Sequence, residues 1–162
     1  MRFNTKLLHG NKMGDANTGA TLTPVYQSSA FYQPSAEQHE KLFHNKATGF
    51  SYTRINNPTI FAFEERMTTL EGGIASVACA SGMAAITNAL LNIVTCGQEI
   101  VASTSLYGGS IDVFHDFEAF GIKTVFVDIS DVNAVEAAIN ENTRVIFAET
   151  IGNPKLDVVD IE

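Results

Sequence analysis

The sequence predicts an α/β fold in which a mainly parallel sheet follows a long extended arm. Apolar runs of strand length recur after Gly73, and they read IASVACA, EIVAS, KTVFVD and RVIFAE. The segments between these runs place apolar residues at helical spacing, and strands that alternate with such helices form the crossover units of a parallel sheet. The preceding part of the chain lacks this regularity and is rich in Asn, Thr, Gly and Ser. We therefore expect an arm at residues 1–57 and the first part of a sheet domain at residues 58–162.

The arm contains one predicted helix and no apparent core. Ser35 begins the stretch SAEQ, which resembles a capping box and leads into HEKLF, so a short helix is expected to start there. A stretch this long without its own core needs a surface to lie against. We expect the arm to pack on a second subunit, and an extension along the surface of its own chain is the alternative.

The first regular helix is predicted to begin after Asn57. An Asn can cap a helix, and Pro58 suits the first helical position because its missing N–H is not needed there. Gly72 is expected to end the helix, since glycine adopts the left-handed conformation that closes helices. One face of this helix carries apolar residues at helical spacing, namely Ile60, Phe63, Met67 and Leu70.

The helices between the predicted strands also have apolar faces. These faces consist of Met83, Ile86, Leu90 and Val94 in the first helix, Ile111, Phe114 and Phe117 in the second, and Val132, Val135 and Ile139 in the third. Parallel sheets bind ligands outside the carboxyl ends of their strands, so functional residues are expected in the loops that follow the strands.

Charge and composition exclude several classes of protein. Eighteen Asp and Glu against ten Lys and Arg give a net charge of -8, so the chain lacks the basic face that nucleic acids require. No apolar run approaches membrane-spanning length, the N-terminus has no secretory signal, and no histidine stands at metal-ligand spacing with a cysteine. We expect a soluble, cytoplasmic protein without nucleic-acid or membrane partners and without a metal site.

The cysteines and the C-terminus carry two further expectations. Cys79 and Cys96 lie in or beside apolar runs and are expected to be two buried thiols, with a disulfide as the alternative. The chain ends in VVDIE, which resembles the first turn of a helix more than a terminus, so we expect a fragment of a longer protein.

The loop after the first apolar run has the features of an anion site. Ser81, Gly82 and Met83 open directly into a helix, where free N–H groups and the helix dipole attract a phosphate. A tight turn without a ligand is the alternative. The chain has no G-x-G-x-x-G and no Walker pattern, and Ser81 lacks the flanking glycines that a nucleophile elbow requires.

Two further strand ends carry candidate ligand-binding residues. Tyr107 follows EIVAS between polar residues and a glycine pair, where its ring can stack on a planar ligand and its hydroxyl can face reactants. Asn153 follows RVIFAE and precedes a proline that holds it extended, so its amide can point at a ligand oxygen. Packing of Tyr107 over the sheet rim and a turn role for Asn153 are the alternatives.

Taken together, the motifs resemble those of the pyridoxal-phosphate-dependent enzymes of cysteine and methionine metabolism, which have fold type I. YTRINNPT, LEGG, ASGMAAI, SLYGGS and ETIGNPKLDVVDIE occur in the order and at the separations typical of this family. The resemblance implies pyridoxal 5'-phosphate as the cofactor and a three-layer αβα domain of the aspartate aminotransferase type. The last motif is most similar to that of the O-acetylhomoserine sulfhydrylases, which make homocysteine from O-acetylhomoserine and sulfide. Cystathionine γ-synthase and methionine γ-lyase are the alternatives.

The resemblance also implies roles for the residues at the strand ends. Ser81, Gly82 and Met83 would give N–H groups to the cofactor phosphate. Tyr107 would stack on the pyridine ring and act as acid and base near the leaving group of the substrate. Asn153 would hydrogen-bond the 3'-oxygen of the cofactor.

The arm receives a role from the same resemblance. In this family the residues matching Tyr52 and Arg54 reach into a neighbouring subunit's site and hold the cofactor phosphate there. The pair suits a dianion, because Arg offers a planar fork of donors and Tyr adds a neutral hydroxyl. A homo-oligomer, and more specifically a dimer of dimers, is therefore implied.

The residues that complete the chemistry are expected beyond residue 162. They are the Schiff-base lysine, the carboxylate that keeps the pyridine nitrogen protonated, and the arginine for the substrate carboxylate. The chain's lysines lack the serine- and threonine-flanked context of that lysine, and they are Lys6, Lys12, Lys41, Lys46, Lys123 and Lys155. Asp128 and Glu149 end strands near the site, and Glu149 is expected to help order it. A hypothesis of another class is a non-catalytic fragment that binds cofactor or assembles without catalysing a reaction.

Overall fold

The computed structural model of the protein describes residues 2–9 and 14–161. Their helices are α1 Phe3–His9, α2 Ala36–Phe43, α3 Pro58–Glu71, α4 Gly82–Leu91, α5 Gly108–Glu118 and α6 Val132–Ala138. Their strands are β1 Glu99–Ser103, β2 Lys123–Val127 and β3 Thr143–Phe147. The chain divides into two compact units, Met1–Ala78 and Cys79–Glu162.

The first unit contains the predicted arm together with α3. Helix α1 packs against α3, and the N–H of Ala78 donates to Glu64 Oε1 at 2.8 Å, so α3 and the segment after it belong to this unit. The boundary between the compact units therefore lies after Ala78, whereas the sequence analysis placed a domain boundary after Asn57. Contact of the arm with a neighbouring subunit stays a prediction.

The predicted ends of the first unit's helices are confirmed. Ser35 Oγ caps α2 by accepting the N–H three residues further on at 3.1 Å. Asn57 Oδ1 caps α3 by accepting the N–H of Thr59 at 2.8 Å. Gly72 ends α3 in the left-handed conformation, with φ of 65°. Local capping chemistry thus fixes both helices without help from distant residues.

The apolar face predicted for α3 is only partly covered by the described residues. No residue of this helix is buried, and 55% of Phe63 and 39% of Ile60 are exposed. The helical spacing of these residues is confirmed, but their burial within this unit is not.

The second unit is built on a parallel sheet, as predicted. Within the described residues, β1 lies between β2 and β3 and pairs in parallel with both. Ile100 stands opposite Thr124 on one side and Val145 on the other; the β1–β2 pairing keeps one register, whereas the β1–β3 pairing shifts its register between Glu99 and Ile100. The three carboxyl ends therefore lie at one edge of the sheet.

The core of this unit lies between β1 and the helices packed around it. Phe114 of α5 is fully buried and makes edge contacts with the rings of Phe117, Phe126 and Phe147. The buried apolar cluster consists of Leu90, Val94, Ile100, Ala102, Leu106, Phe114, Phe117 and Ile122. It includes Leu90 and Val94 from the apolar face predicted for α4, and Phe114 and Phe117 from the face predicted for α5.

The first predicted strand, IASVACA at residues 74–80, is wrong for this structure. The segment has no regular secondary structure and pairs with no described strand, and Ile74 and Val77 are almost fully exposed. A strand is stabilised by its neighbours' hydrogen bonds, and an apolar run alone cannot supply them.

The prediction of two buried cysteines is also wrong. Cys79 and Cys96 are both free and both exposed, so the disulfide alternative is not seen either. Cys79 lies in the unpaired segment just described, and Cys96 lies in the turn between α4 and β1. Apolar neighbours in sequence therefore did not lead to burial at either position.

The described residues contain neither a candidate membrane-spanning helix nor a candidate metal cluster. None of their helices has the length and apolar character needed to cross a membrane. No cluster of three or more His, Cys, Asp or Glu side chains in residues 2–9 and 14–161 has a geometry that could hold a metal ion.

Candidate active site

The start of α4 has free backbone donors where the sequence predicts an anion site. Ser81 caps the helix, its Oγ accepting the N–H of Ala84 at 3.1 Å. The N–H groups of Gly82 and Met83 make no hydrogen bond within the described part of the chain. Gly82 is exposed, and a Cβ built on it would meet nothing within 4 Å, so the helix start is open on this side. Two free donors at the positive end of a helix are suited to a phosphate.

Tyr107 stands at the start of α5, where it is half exposed. It is the N-cap residue, but its side chain makes no capping hydrogen bond. Its ring lies against Gly109, because a Cβ built there would lie 2.5 Å from Tyr107 Cε1. The glycine therefore leaves room for the ring, whose exposed part is available to stack on a planar ligand.

Glu149 connects the end of β3 to the start of α5. Both of its carboxylate oxygens accept the N–H of Tyr107 at 3.1 Å, and Oε1 also accepts the hydroxyl of Ser110 at 3.1 Å. The sequence predicts that Glu149 helps to order the site, but it does not indicate these partners. No local sequence pattern indicates these hydrogen bonds, because Glu149 lies 39 positions after Ser110 and 42 after Tyr107.

Asn153 lies on an exposed turn after β3 that is tied to the loop after β1. Ser105 Oγ donates to Asp157 Oδ1 at 2.5 Å, and this bond holds the pKa of the Asp157 carboxyl below its ordinary value. Gly152 is buried between the two loops, and its N–H donates to the carbonyl of Asp157 at 2.7 Å. The peptide bond between Asn153 and Pro154 is cis. The Asn153 amide stands at the tip of this turn.

These contacts show which predicted residues the second unit brings together. Hydrogen bonds join the loop that carries Tyr107 to the loop that carries Asn153, through Glu149 and through Ser105. The residues predicted for the phosphate start α4, and α4 packs against α5. The strand-end candidates thus belong to one unit and to elements in contact with each other.

Tyr52 and Arg54 belong to the first unit, on a loop held by backbone pairing. Tyr52 forms an antiparallel bridge with Ala30, and the N–H of Thr53 donates to Ser29 at 2.9 Å. The Arg54 guanidinium lies 5.6 Å from the centre of the Tyr52 ring, and both side chains are exposed. Among the described residues, Arg54 forms no salt bridge, so its donors are available to an external anion.

The chain belongs to the family of Cys/Met metabolism PLP-dependent enzymes, whose sequence profile matches residues 4–162. It is 46% identical over 158 residues to an O-acetyl-L-homoserine sulfhydrylase of Leptospira meyeri, covering 97% of this chain and 36% of that protein. It is 40% identical over 145 residues to an L-methionine gamma-lyase of Fusobacterium nucleatum, covering 89% of this chain and 37% of that protein.

A solved structure shows the same architecture. It is a Campylobacter jejuni protein described as an O-acetylhomoserine (thiol)-lyase, crystallised with N'-pyridoxyl-lysine-5'-monophosphate. The TM-score is 0.90 at 31% identity, over 99% of this chain and 40% of that one. The fold is therefore that of the family, and this chain spans 36% to 40% of the length of the relatives it matches.

The cofactor of the family is pyridoxal phosphate, and the residues present fit it. The free N–H groups of Gly82 and Met83 suit its phosphate, and the exposed ring of Tyr107 suits its pyridine ring. No lysine of this sequence has the serine- and threonine-flanked context expected for the Schiff-base lysine. Of the chain's lysines, Lys12 lies outside the described residues.

Proposed function

We propose that this sequence forms the N-terminal portion of an O-acetylhomoserine sulfhydrylase. Such an enzyme makes homocysteine from O-acetylhomoserine and sulfide: sulfide replaces the acetoxy group on the γ-carbon, and acetate is released. The observation that carries the choice of member is the 46% identity to the Leptospira enzyme, compared with 40% to the methionine γ-lyase of Fusobacterium. We further propose that the whole protein is a cytoplasmic homo-oligomer, built as a dimer of dimers.

In this proposal the second unit holds the cofactor. The N–H groups of Gly82 and Met83, with the capping residue Ser81, bind the phosphate. Tyr107 stacks its ring on the pyridine ring, and its hydroxyl carries a proton to or from the leaving group. The Asn153 amide donates to the 3'-oxygen. The bound cofactor supplies an electron sink that stabilises negative charge next to the reacting carbon.

The first unit supplies the phosphate ligands of a neighbouring site. Arg54 has no acidic partner among the described residues and is held beside the Tyr52 ring, so its planar fork is available for a dianion. We propose that the two side chains bind the phosphate in a second subunit, which explains why both are exposed on the arm.

Substrate tests on the full-length protein separate the candidate members. Steady-state turnover is measured with O-acetylhomoserine plus sulfide, with O-acetylhomoserine plus cysteine, and with methionine alone. The proposal expects the first pair to give the highest kcat/KM. Preference for cysteine would indicate a cystathionine γ-synthase, and turnover of methionine alone would indicate a methionine γ-lyase, which the Fusobacterium relative makes the second candidate.

A second experiment tests the shared site. Arg54→Ala in the full-length protein should weaken cofactor affinity roughly ten- to hundredfold, because a charge-assisted contact contributes on the order of 1.5–3 kcal/mol. Arg54→Lys should recover only part of this loss, since an ammonium has no planar fork. Arg144→Ala is the matched control, because this exposed arginine donates only to backbone carbonyls beside β3 and should leave affinity unchanged.

Hybrid oligomers test whether the site crosses a subunit boundary. Arg54→Ala subunits are mixed with subunits whose cofactor-linking lysine has been replaced. If the site is shared, one site of each mixed dimer carries both lesions and the other carries neither, so activity returns. Mixed dimers that stay inactive would show that Tyr52 and Arg54 act within their own chain.

A further inference from the structure

The start of α5 lacks the side chain that usually caps a helix. An N-cap residue is most often Ser, Thr, Asp or Asn, and a Glu or Gln three positions later reaches back to the N-cap N–H. Here the N-cap residue is Tyr107, whose side chain makes no capping hydrogen bond, and the third residue after it is Ser110. Neither residue can play its usual part in a capping box.

Glu149, which follows β3, supplies the acceptor that the residues at the start of α5 lack. Its carboxylate accepts the N–H of Tyr107 with both oxygens, as the acidic residue of a capping box would, and it also accepts the hydroxyl of Ser110. The interaction is favoured by the positive end of the α5 dipole, which attracts a carboxylate. A residue that follows β3 therefore holds the first turn of a helix that follows β1.

The contact bears on the direction of the Tyr107 ring. A side chain leaves its backbone in one of a few staggered directions, so the direction of the ring depends on how the backbone of Tyr107 is held. Gly109 makes this ring position possible, because the ring occupies the space that a Cβ would need there. The Glu149 carboxylate holds the backbone of Tyr107, and Gly109 leaves space for its ring; together they set the direction of the aromatic face.

We propose that Glu149 is a positioning residue that orients the face of Tyr107 toward the cofactor. This inference rests on the proposed function, in which Tyr107 stacks on the pyridine ring. Glu149 touches neither cofactor nor substrate in this role and acts only through Tyr107 and Ser110. Its loss is therefore expected to change how the cofactor is held, in addition to any change in stability.

The test uses the full-length protein with Glu149→Ala and Glu149→Gln. The circular dichroism induced in the absorption band of the bound cofactor reports how rigidly its ring is oriented. We expect Glu149→Ala to lower this signal by about half or more at saturating cofactor and to weaken affinity about tenfold, since two hydrogen bonds to a carboxylate are lost. Glu149→Gln should fall in between, because one amide oxygen still accepts the Tyr107 N–H.

A matched control separates positioning from stability. Glu99 lies at the amino end of β1 and accepts hydrogen bonds from the side chains of Asn140 and Lys123. Glu99→Gln makes the same chemical change on the same sheet, so it should lower the melting temperature and leave the induced signal unchanged. If Glu149→Ala lowers only the melting temperature as well, the inference is wrong. If Glu149→Ala does not fold, Glu149→Gln decides: an induced signal and a cofactor affinity equal to those of the wild type would overturn the inference.

Two further variants show whether a negative result concerns the role of Glu149 or the stacking role proposed for Tyr107. Gly109→Ala displaces the ring directly and should lower the induced signal with Glu149 intact. Tyr107→Ala removes the ring. If Tyr107→Ala changes neither signal nor affinity, the stacking role proposed for Tyr107 fails and the role of Glu149 fails with it. If Tyr107→Ala changes both and Glu149→Ala changes neither, only the role of Glu149 fails.

Discussion

Asn57 is the residue on which the order of the arm most depends. It is 3% exposed, and every polar atom of its side chain is used. Its Oδ1 accepts the N–H of Thr59 at 2.8 Å, and its Nδ2 donates to the carbonyl of Tyr26 and to Thr53 Oγ1, both at 3.0 Å. One side chain thus caps α3 and ties the loop of Tyr52 and the segment of Tyr26 to that helix.

The cost of Asn57→Ala can be worked out from these contacts. Loss of an N-cap side chain costs about 1 kcal/mol, and each of the two lost hydrogen bonds costs about 1 kcal/mol more where water cannot fully replace it. Because part of Tyr26 is exposed and its carbonyl can be rehydrated, we expect about 2–3 kcal/mol in total. Asn57→Ser keeps the capping oxygen and loses the two donated bonds, so it should cost about 1 kcal/mol less.

Hydrogen exchange in the full-length protein measures this cost locally. A loss of about 2–3 kcal/mol should speed exchange of the amides around Thr59 by roughly 30- to 150-fold. Asn133→Ala is the matched control, because it removes an exposed amide in the first turn of α6 and should change exchange near Thr59 by less than about twofold. If Arg54 binds the phosphate as proposed, Asn57→Ala should also weaken cofactor affinity.

Two results would refute the reasoning about Asn57. Exchange that rises less than about threefold in Asn57→Ala would mean that the three hydrogen bonds contribute little. Equal rates in the Ser and Ala variants would mean that the cap contributes nothing and that the donated bonds account for the whole effect.

Two further predictions concern the second unit. Gly152→Ala would place a Cβ 2.5 Å from Asp157 Oδ1 and closer still to Ser105 Oγ, so we expect the free energy of unfolding in urea to fall by about 1–3 kcal/mol. Gly108→Ala is the control and should change stability little, because a Cβ there meets nothing within 4 Å. Hydrogen bonds from the Asn140 amide and, second, from the Lys123 ammonium lower the pKa of Glu99 below its ordinary value of 4.5. The carboxylate therefore contributes its full stabilisation above pH 4.5, and this stabilisation is lost as pH falls through the folded-state pKa. Glu99→Gln should therefore flatten the pH dependence of stability in that acidic range, and an unchanged slope would contradict this assignment.

The sequence predicted those features that depend on neighbours along the chain. The starts of α2 and α3 follow from Ser35 and Asn57, and the end of α3 follows from Gly72. The parallel sheet followed from apolar runs that alternate with helical segments. In each case the physical cause, a cap or a periodic apolar face, lies within a few residues of its effect.

The features that were missed depend on contacts between residues that are distant in sequence. The run IASVACA has the composition of a strand, but no described strand pairs with it, so Cys79 is exposed with it. The apolar face of α3 is regular in sequence, yet Ile60 and Phe63 on it remain exposed among the described residues. Periodicity indicates which side chains favour burial, but burial itself requires a partner surface that a local pattern does not contain.

The helix starts explain why the candidate site needs a contact from another strand end. Ser81 and Asn57 carry short side-chain oxygens and cap their own helices. Tyr107 cannot do so, because a ring that is free to stack on a ligand has no acceptor near its own backbone. An aromatic residue at this position therefore leaves its helix without a local cap, and a carboxylate from a neighbouring strand end supplies one. The same contact that stabilises α5 also joins the two loops on which the proposed chemistry depends.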